Sequence, residues 1–436
     1  MRFDRIDRYL RGDHDGPYLP RTATEEYKLL AKRAISNWLP LVVKTTAQTM
    51  AVEGFRRTDT APDTAPAEWQ AWQANRLDGR QAAIHRSALT YGQCFVTVLE
   101  DPALPGQARI RAVSPRRMIA FYDDPEADAL PMWALRVDAV PASSDQAAHG
   151  WFYDASGVTE LSIGGKEGTK ALSFTAHNLG VCPVVRFAPE IDLEGRVLGV
   201  IEPVITLQDR LNQGVFDQLV VQTFGAFKVR TISGLAPELV RDPETGEPVL
   251  DNATGKPRVV PIQADASRFL VAPDPDTRFG QLDETPMTGY LEAVEAGVRS
   301  LAAVSQIPGH HLLATLLANM SAEGLKAAEA GMFRAIEEFK KTFGESWETV
   351  LGLCAQIAGA APDPAAQVVW RDAESRSLSQ TVDALGKAAQ MLNVPPRALW
   401  RLIPGVSATD VEEWAQTAAE DDPATRLADS LSKAAA

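Results

Sequence analysis

Only three of the 436 residues are cysteine, Cys94, Cys182 and Cys354, widely separated and at no metal-like spacing. So sparse and odd a set excludes a disulfide framework and fits a reducing compartment, where each thiol serves as a small apolar group. No apolar run approaches the roughly 18 residues that a membrane-spanning helix needs. The opening stretch "MRFDRIDRYLRGDHDG" alternates charged with apolar residues, so it is not expected to act as a signal peptide. Basic residues are in the minority, 43 Lys and Arg against 57 Asp and Glu, for a net charge of −14. That balance argues against a protein that grips nucleic acid by neutralising phosphates, though DNA could pass nearby without sticking. Catalytic signatures are lacking too: no G-x-S-x-G, H-E-x-x-H or C-x-x-C occurs. "SIGGKEGTK" (162–170) has Glu167 where a phosphate loop needs Ser or Thr, and it precedes a β run, so it reads as a glycine hairpin.

What the chain does have is an ordinary globular composition, 45% hydrophobic and 23% charged, at a length that supports two or three cores. Residues 22–92 read as helices. Thr22 and Glu25 have capping-box spacing before Tyr27, Leu30, Ala34 and Trp38, and Pro40 is expected to break that helix. After the loop "TAPDTAPAE" (60–68), Trp69, Trp72, Leu77, Ile84 and Leu89 return to helical spacing. From Gly92 the texture changes to short β-rich runs between turns: "GQCFVTVLE", "ARIRAVSP", "MIAFYDD", "MWALRVDA", "WFYDASG", "VTELSIGG", "ALSFTAHNLG" and "PVVRFAPE". Their spacing suits an antiparallel sheet in an α+β protein.

A long helix follows over 202–224, about 33 Å at 1.5 Å per residue. One face carries Val197, Ile201, Val204, Leu211, Val215 and Leu219; the other carries Gln208, Asp209, Asn212, Gln213, Asp217 and Gln222. The bland reading of that polar face is a solvated surface; the sharper one is the lining of a polar channel. Residues 226–284, rich in Pro, Gly and Asp with recurring Val, Ile and Phe, read as a small β-containing insertion. Thr285 and Pro286 suit the start of the next helix, whose stripe of Tyr290, Leu291, Val294, Val298 and Leu301 is stopped by Pro308-Gly309. A much longer helix starts near Ser321 with Leu325, Met332, Ile336, Phe339, Phe343, Trp347, Val350, Leu351 and Cys354 along one stripe. The end is helical again, around Leu378, Val382, Leu385 and Leu392, before a tail with little apolar surface.

Of six histidines only His310 and His311 are adjacent. Neighbouring side chains on a turn usually diverge, and Glu323 is the nearest acid downstream, so no metal is expected there. "DDPEAD" (123–128) lacks the ligand positions of a calcium loop and reads as a capped turn, as does "DNATGK" (251–256). No catalytic residue, metal site or cofactor is expected.

The order of these segments, together with "GVIEPVITLQDRLNQGVFDQLV" (199–220), "SQIPGHHLL" (305–313), "NMSAEGLKAAEAGMFRAIEEFKKTFGESWE" (319–348) and the helix-to-strand step "HRSALTYGQCFVTV" (85–98), resembles the portal (head-to-tail connector) proteins of tailed double-stranded DNA bacteriophages. The resemblance covers about residues 20–420 and rests on order, since the single motifs are loose. It implies an α+β, multi-domain subunit. Residues 1–197 and much of 310–365 would form a β-containing wing, 198–224 and 285–307 antiparallel stem helices, and 225–284 a small β-containing clip. A tunnel loop would span 308–320, a long spine helix 321–365, and a helical C-terminal crown with a flexible tail 366–436.

It further implies a homo-oligomeric, dodecameric ring at one capsid vertex of the virion, assembled in the host cytoplasm. The ring would serve genome packaging and ejection, with double-stranded DNA passing through it without sequence-specific binding. The terminase large subunit, head-completion or adaptor proteins, and the major capsid and scaffolding proteins would be its partners; no membrane would be involved. Carried onto this chain, Gln208, Asp209, Asn212, Gln213 and Asp217 would line the stem. Pro308, Gly309, His310, His311, Leu312 and Leu313 would open the tunnel loop, with Asn319 or Ser321 capping the spine. Three alternatives stay open at this point. Residues 310–320 could begin the spine helix early. The chain could be another structural component, of scaffold or baseplate type. Least in keeping with its motifs, it could be a hydrolase using scattered acids such as Asp123 and Asp124.

Overall fold

The computed structural model describes residues 2–58, 66–138, 146–166, 168–225, 230–233, 239–242, 245–251, 255, 257–258, 278–281, 286–313, 321–371, 378–403, 406 and 408–420. Three helices come first: α1 (Arg2–Leu10), α2 (Glu25–Arg33) and α3 (Leu39–Gln48). In α1 the alternating charges stay outside while Ile6 and Tyr9 are buried. The helix start expected at Thr22 is displaced: Thr24 is the N-cap of α2, and it makes no side-chain capping bond. Pro40 does not break a helix but sits in the first turn of α3, where its missing N–H and fixed φ cost nothing. Strand β1 (Val52–Arg56) follows, then α4 (Ala67–Ala74) and α5 (Leu77–Tyr91), separated by Arg76 in a left-handed conformation at φ 55°.

The eight β-rich runs become eight strands: β2 (Cys94–Asp101), β3 (Leu104–Val113), β4 (Met118–Phe121), β5 (Trp133–Val137), β6 (Ala147–Tyr153), β7 (Gly157–Gly164), β8 (Lys170–Ala176) and β9 (Val184–Phe187). They form two antiparallel sheets, ordered β3-β2-β9 and β4-β5-β6-β7-β8. The turns expected at "DASG" and "SIGGKEG" fall at 154–156, between β6 and β7, and after Gly164, between β7 and β8, with Glu167 outside the described residues. Asp154 holds the first turn by accepting from the N–H groups of Ser156 and Gly157.

After a 3₁₀ turn at Glu202–Val204 comes α6 (Ile205–Gly225). Strands β10 (Arg230–Ser233) and β11 (Arg278–Gln281) pair antiparallel, so the insertion leaves and returns through one two-stranded neck. Next are α7 (Thr288–Val304), the single turn α8 (Gly309–Leu312), and α9 (Ala322–Ile357), 36 residues or about 54 Å long. Strand β12 (Gln367–Trp370) pairs with β1, Val52 opposite Trp370, a partnership that no local pattern announces. Helices α10 (Leu378–Leu392), α11 (Pro396–Leu399) and α12 (Ala408–Glu420) complete the described chain. Thr285, Asn319 and the tail from 421 lie outside the described residues. No helix among the described residues is long and apolar enough to cross a membrane.

The chain divides into two compact bodies, one of residues 1–15, 37–210 and 297–436, the other of 16–36 and 211–296. In the first, α9 supplies the central stripe: Met332, Ile336, Phe343, Trp347, Val350, Leu351 and Cys354 are buried. Trp347 packs edge-on against Trp72 and Phe187, and its indole N–H donates to His85 Nε2 at 3.0 Å. Burial pulls the His85 pKa down to about 4, a backbone hydrogen bond with Met50 partly opposing the shift, so this imidazole stays neutral. Gln81 fastens β1 to α5 by accepting from Val52 N–H and donating to Val52 C=O. In the second body, Leu30, Ala31, Ala34 and Phe216 form a small cluster edged by Leu19, Tyr27, Val215, Leu219 and Val220.

Candidate functional site

Two glycines set the root of α6. Gly92 ends α5 at φ +83°, and a Cβ there would stand 2.9 Å from the backbone N of Gly199; a Cβ on Gly199 would stand 2.6 Å from the N of Gly92. Neither position tolerates a side chain, so the helix-to-strand step and the approach to α6 touch backbone to backbone. Helix α1 then clasps the same root. The Arg2 guanidinium reaches both carboxylate oxygens of Glu202, with Nη2 2.5 Å from Oε2, and also donates to Val197 C=O at 2.7 Å. The single proton of the Tyr9 hydroxyl is shared between Asp209 Oδ1 at 2.7 Å and Asp15 Oδ2 at 2.9 Å. Burial, then those two carboxylates, push Tyr9 up to about 12, so it remains a donor across the accessible pH range.

These contacts correct the expected polar face of α6. Gln208 and Asn212 are fully buried and do not face solvent. Gln208 Oε1 accepts from Trp38 N–H at 3.1 Å, and Asn212 Oδ1 accepts from Ser36 N–H at 3.3 Å. Gln213 Oε1 accepts from Tyr18 N–H at 2.8 Å while its amide donates to Asp217 at 2.9 Å. Gln208, Asp209, Asn212, Gln213 and Asp217 therefore all have partners in their own chain. The physical reason is that residues 16–38 run alongside α6 with backbone N–H groups that must be satisfied, and side-chain oxygens on the helix satisfy them. Asp209, Gln213 and Asp217 keep part of their surface exposed.

The loop between α7 and α9 is also punctuated differently from expectation. Helix α7 stops before Pro308: Gln306 takes φ 55°, Ile307 N–H bonds back to Ala302 C=O and Gln306 N–H to Ala303 C=O. That is the bonding of a Schellman turn, with Gln in the position glycine usually holds. Pro308 is buried and precedes the single turn α8. Leu312 is buried and Leu313 half-buried. Residues 314–320, which would decide how the rest of the loop runs, lie outside the described residues. Ser321 caps α9, its hydroxyl accepting from Gly324 N–H at 3.1 Å.

The two histidines do not diverge. Their ring centroids are 4.5 Å apart, and both Nε2 atoms approach Glu329 Oε1, at 3.5 Å for His310 and 3.7 Å for His311. Glu329 is the residue that the sequence reading missed. It lies about two turns inside α9, too far along the chain for any spacing rule to associate it with the pair.

The acidic alternative receives no support from geometry. The Asp124 carboxylate accepts from the N–H groups of Glu126 and Ala127, and Asp128 accepts from Asp124 N–H, the bonding of a capped exposed turn. All three cysteines are free and buried. Burial raises the Cys354 thiol to about 12, so it is a packing group, not a nucleophile.

The polar side chains described here clasp segment to segment on a frame of long helices and small sheets. A family model described as phage portal protein, SPP1 Gp6-like, matches residues 1–424, and the chain belongs to that family. The portal protein of Mycobacterium phage D29 is 26% identical over 389 residues, covering 86% of this chain and 76% of that one. The portal protein of Mycobacterium phage L5 is 27% identical over 399 residues, with the same two shares. Among solved structures, a chain in the neck of an empty GTA particle computed with C6 symmetry aligns at a TM-score of 0.43 and 13% identity, over 89% of this chain and 94% of that one. The protein is a phage portal protein, a structural component of the virion.

Proposed function

We propose that copies of this chain close into a dodecameric ring at a single capsid vertex, through whose bore the genome passes during packaging and ejection. The observation that carries the proposal is the family match over residues 1–424, which takes in every described element from α1 to α12. Surface chemistry supports it. A single chain leaves Phe121, Phe174, Leu291, Val304, Met391 and Leu392 exposed, more apolar surface than a lone soluble subunit has reason to show and the kind that contact between copies would cover. Net charge supports it from another side. A conduit gains nothing by pairing with phosphates that it must release at every step, and a chain at −14 discourages such adsorption.

Within this reading the part-exposed Asp209, Gln213 and Asp217 contribute to the bore, while Gln208 and Asn212 hold the subunit together. Pro308, Gly309, His310, His311, Leu312 and Leu313 begin the tunnel loop. Residues 225–284 form the clip on which the terminase large subunit docks and later head-completion or adaptor proteins. Major capsid and scaffolding proteins surround the ring as it assembles in the host cytoplasm. Mass measurement of the purified full-length protein, with axial images by negative stain, tests the central claim. Rings of twelve copies with a central hole are expected; a species that stays single at high concentration would overturn it.

A further inference from the structure

We propose that His310, His311 and Glu329 form a binding site for a divalent transition-metal ion, zinc by its ligand chemistry, that fastens α8 to the second turn of α9. The distances carry the argument. At 3.5 and 3.7 Å, the two Nε2 atoms stand too far from Glu329 Oε1 for good hydrogen bonds, which close at roughly 2.7–3.2 Å. They match instead the edge of a coordination tetrahedron, about 3.3 Å when each metal–ligand bond is about 2.0–2.1 Å. One nitrogen from each ring and one carboxylate oxygen all lie within 4.8 Å of one another, so a small rotation of the rings completes three legs of a tetrahedron around one ion.

Burial fits the same reading. The His310 side chain is only 8% exposed and Glu329 23%, whereas His311 at 30% leaves the fourth position to solvent. Two imidazoles with a single carboxylate suit a borderline ion such as zinc; calcium and magnesium take sets made almost wholly of oxygen. The consequence is mechanical. Bonds from the ion to residues 310, 311 and 329 would close the intervening chain into a loop, restraining both flanks of residues 314–320. The proposal needs only these three side chains and does not depend on the state of the ring.

The test uses the full-length protein, stripped with chelator and titrated with zinc. One ion per chain is expected, bound with micromolar or tighter affinity. Cobalt in its place should give the intense visible bands of a four-coordinate site. His310→Ala and Glu329→Gln should each weaken binding at least tenfold, and Glu329→Gln without metal should melt at the wild-type temperature, separating loss of the site from loss of the fold. His149→Ala, which removes a histidine paired with Glu160 on a remote sheet, should bind as wild type does. On zinc loading, amide exchange at residues 323–328 should slow. Absence of a stoichiometric ion, or binding unchanged in both His310→Ala and Glu329→Gln, overturns the proposal whether or not the protein forms rings.

Discussion

The two compact bodies of the chain are held together by different means. The first is built on large side chains removed completely from water: Trp72, Trp347, Phe187, Phe343 and His85 interlock around α5 and α9. Among the described residues of the second, the cluster of Leu30, Ala31, Ala34 and Phe216 is small, and Tyr18, Leu29, Leu250 and Leu291 are exposed. A stretch with so little apolar burial cannot offset the entropy of ordering its own backbone by much. The first body carries a large interlocked core, whereas the described residues of the second bury few apolar side chains together.

The comparison breaks most sharply at Trp347. Trp347→Ala should cost about 3–5 kcal/mol by leaving a cavity among Trp72, Phe187 and His85. Urea unfolding followed by circular dichroism would read it, and a loss below about 1 kcal/mol would mean that the core is not where stability resides. Next in size is a pH effect in the same core. The His85 imidazole takes up a proton near pH 6.5 when unfolded but resists until about pH 4 when folded. Its contribution is therefore complete above about pH 6.5 and declines as pH falls toward 4, by roughly 3 kcal/mol in all. His85→Leu should lower stability by orphaning the Trp347 N–H, yet flatten the slope between about pH 6.5 and 5; a slope that persists would place its origin elsewhere. The smallest effect belongs to the second body. Phe216→Ala should speed amide exchange at residues 28–34 while moving the main unfolding transition by less than about 1 kcal/mol. A full-sized shift would show that the two bodies unfold as one.

Local pattern made much of this molecule legible. Eight short β-rich runs between turn residues became β2 to β9, because β-branched and aromatic side chains and the turn residues between them act within a few residues. The stripe from Met332 to Cys354 foretold α9 and its buried face for the same reason, at a period of 3.6. The polar stripe of α6 was legible as a stripe but not in its role. Whether Gln208 and Asn212 meet water or the N–H groups of Trp38 and Ser36 depends on a segment some 170 residues earlier. Likewise the Schellman turn at Gln306 overrode the stop signal of Pro308, since bonding back to Ala302 and Ala303 ended the helix first.

By itself, then, the sequence determined most of the helices and the strands β2 to β9, where acid would outweigh base, and the order of segments that marks a portal subunit. Strand β1 (Val52–Arg56) instead interrupts the stretch 22–92 read as helices, and β12 (Gln367–Trp370) the C-terminal stretch read as helical. The pairing of β1 with β12, the clasp of α1 on α6 and the meeting of Glu329 with two histidines were decided only by the tertiary structure. Backbone period is an interaction among near neighbours and is written locally. Hydrogen-bond and ligand partners are chosen by whichever distant groups the folded chain brings within about 3–4 Å, and no spacing along the chain encodes that distance.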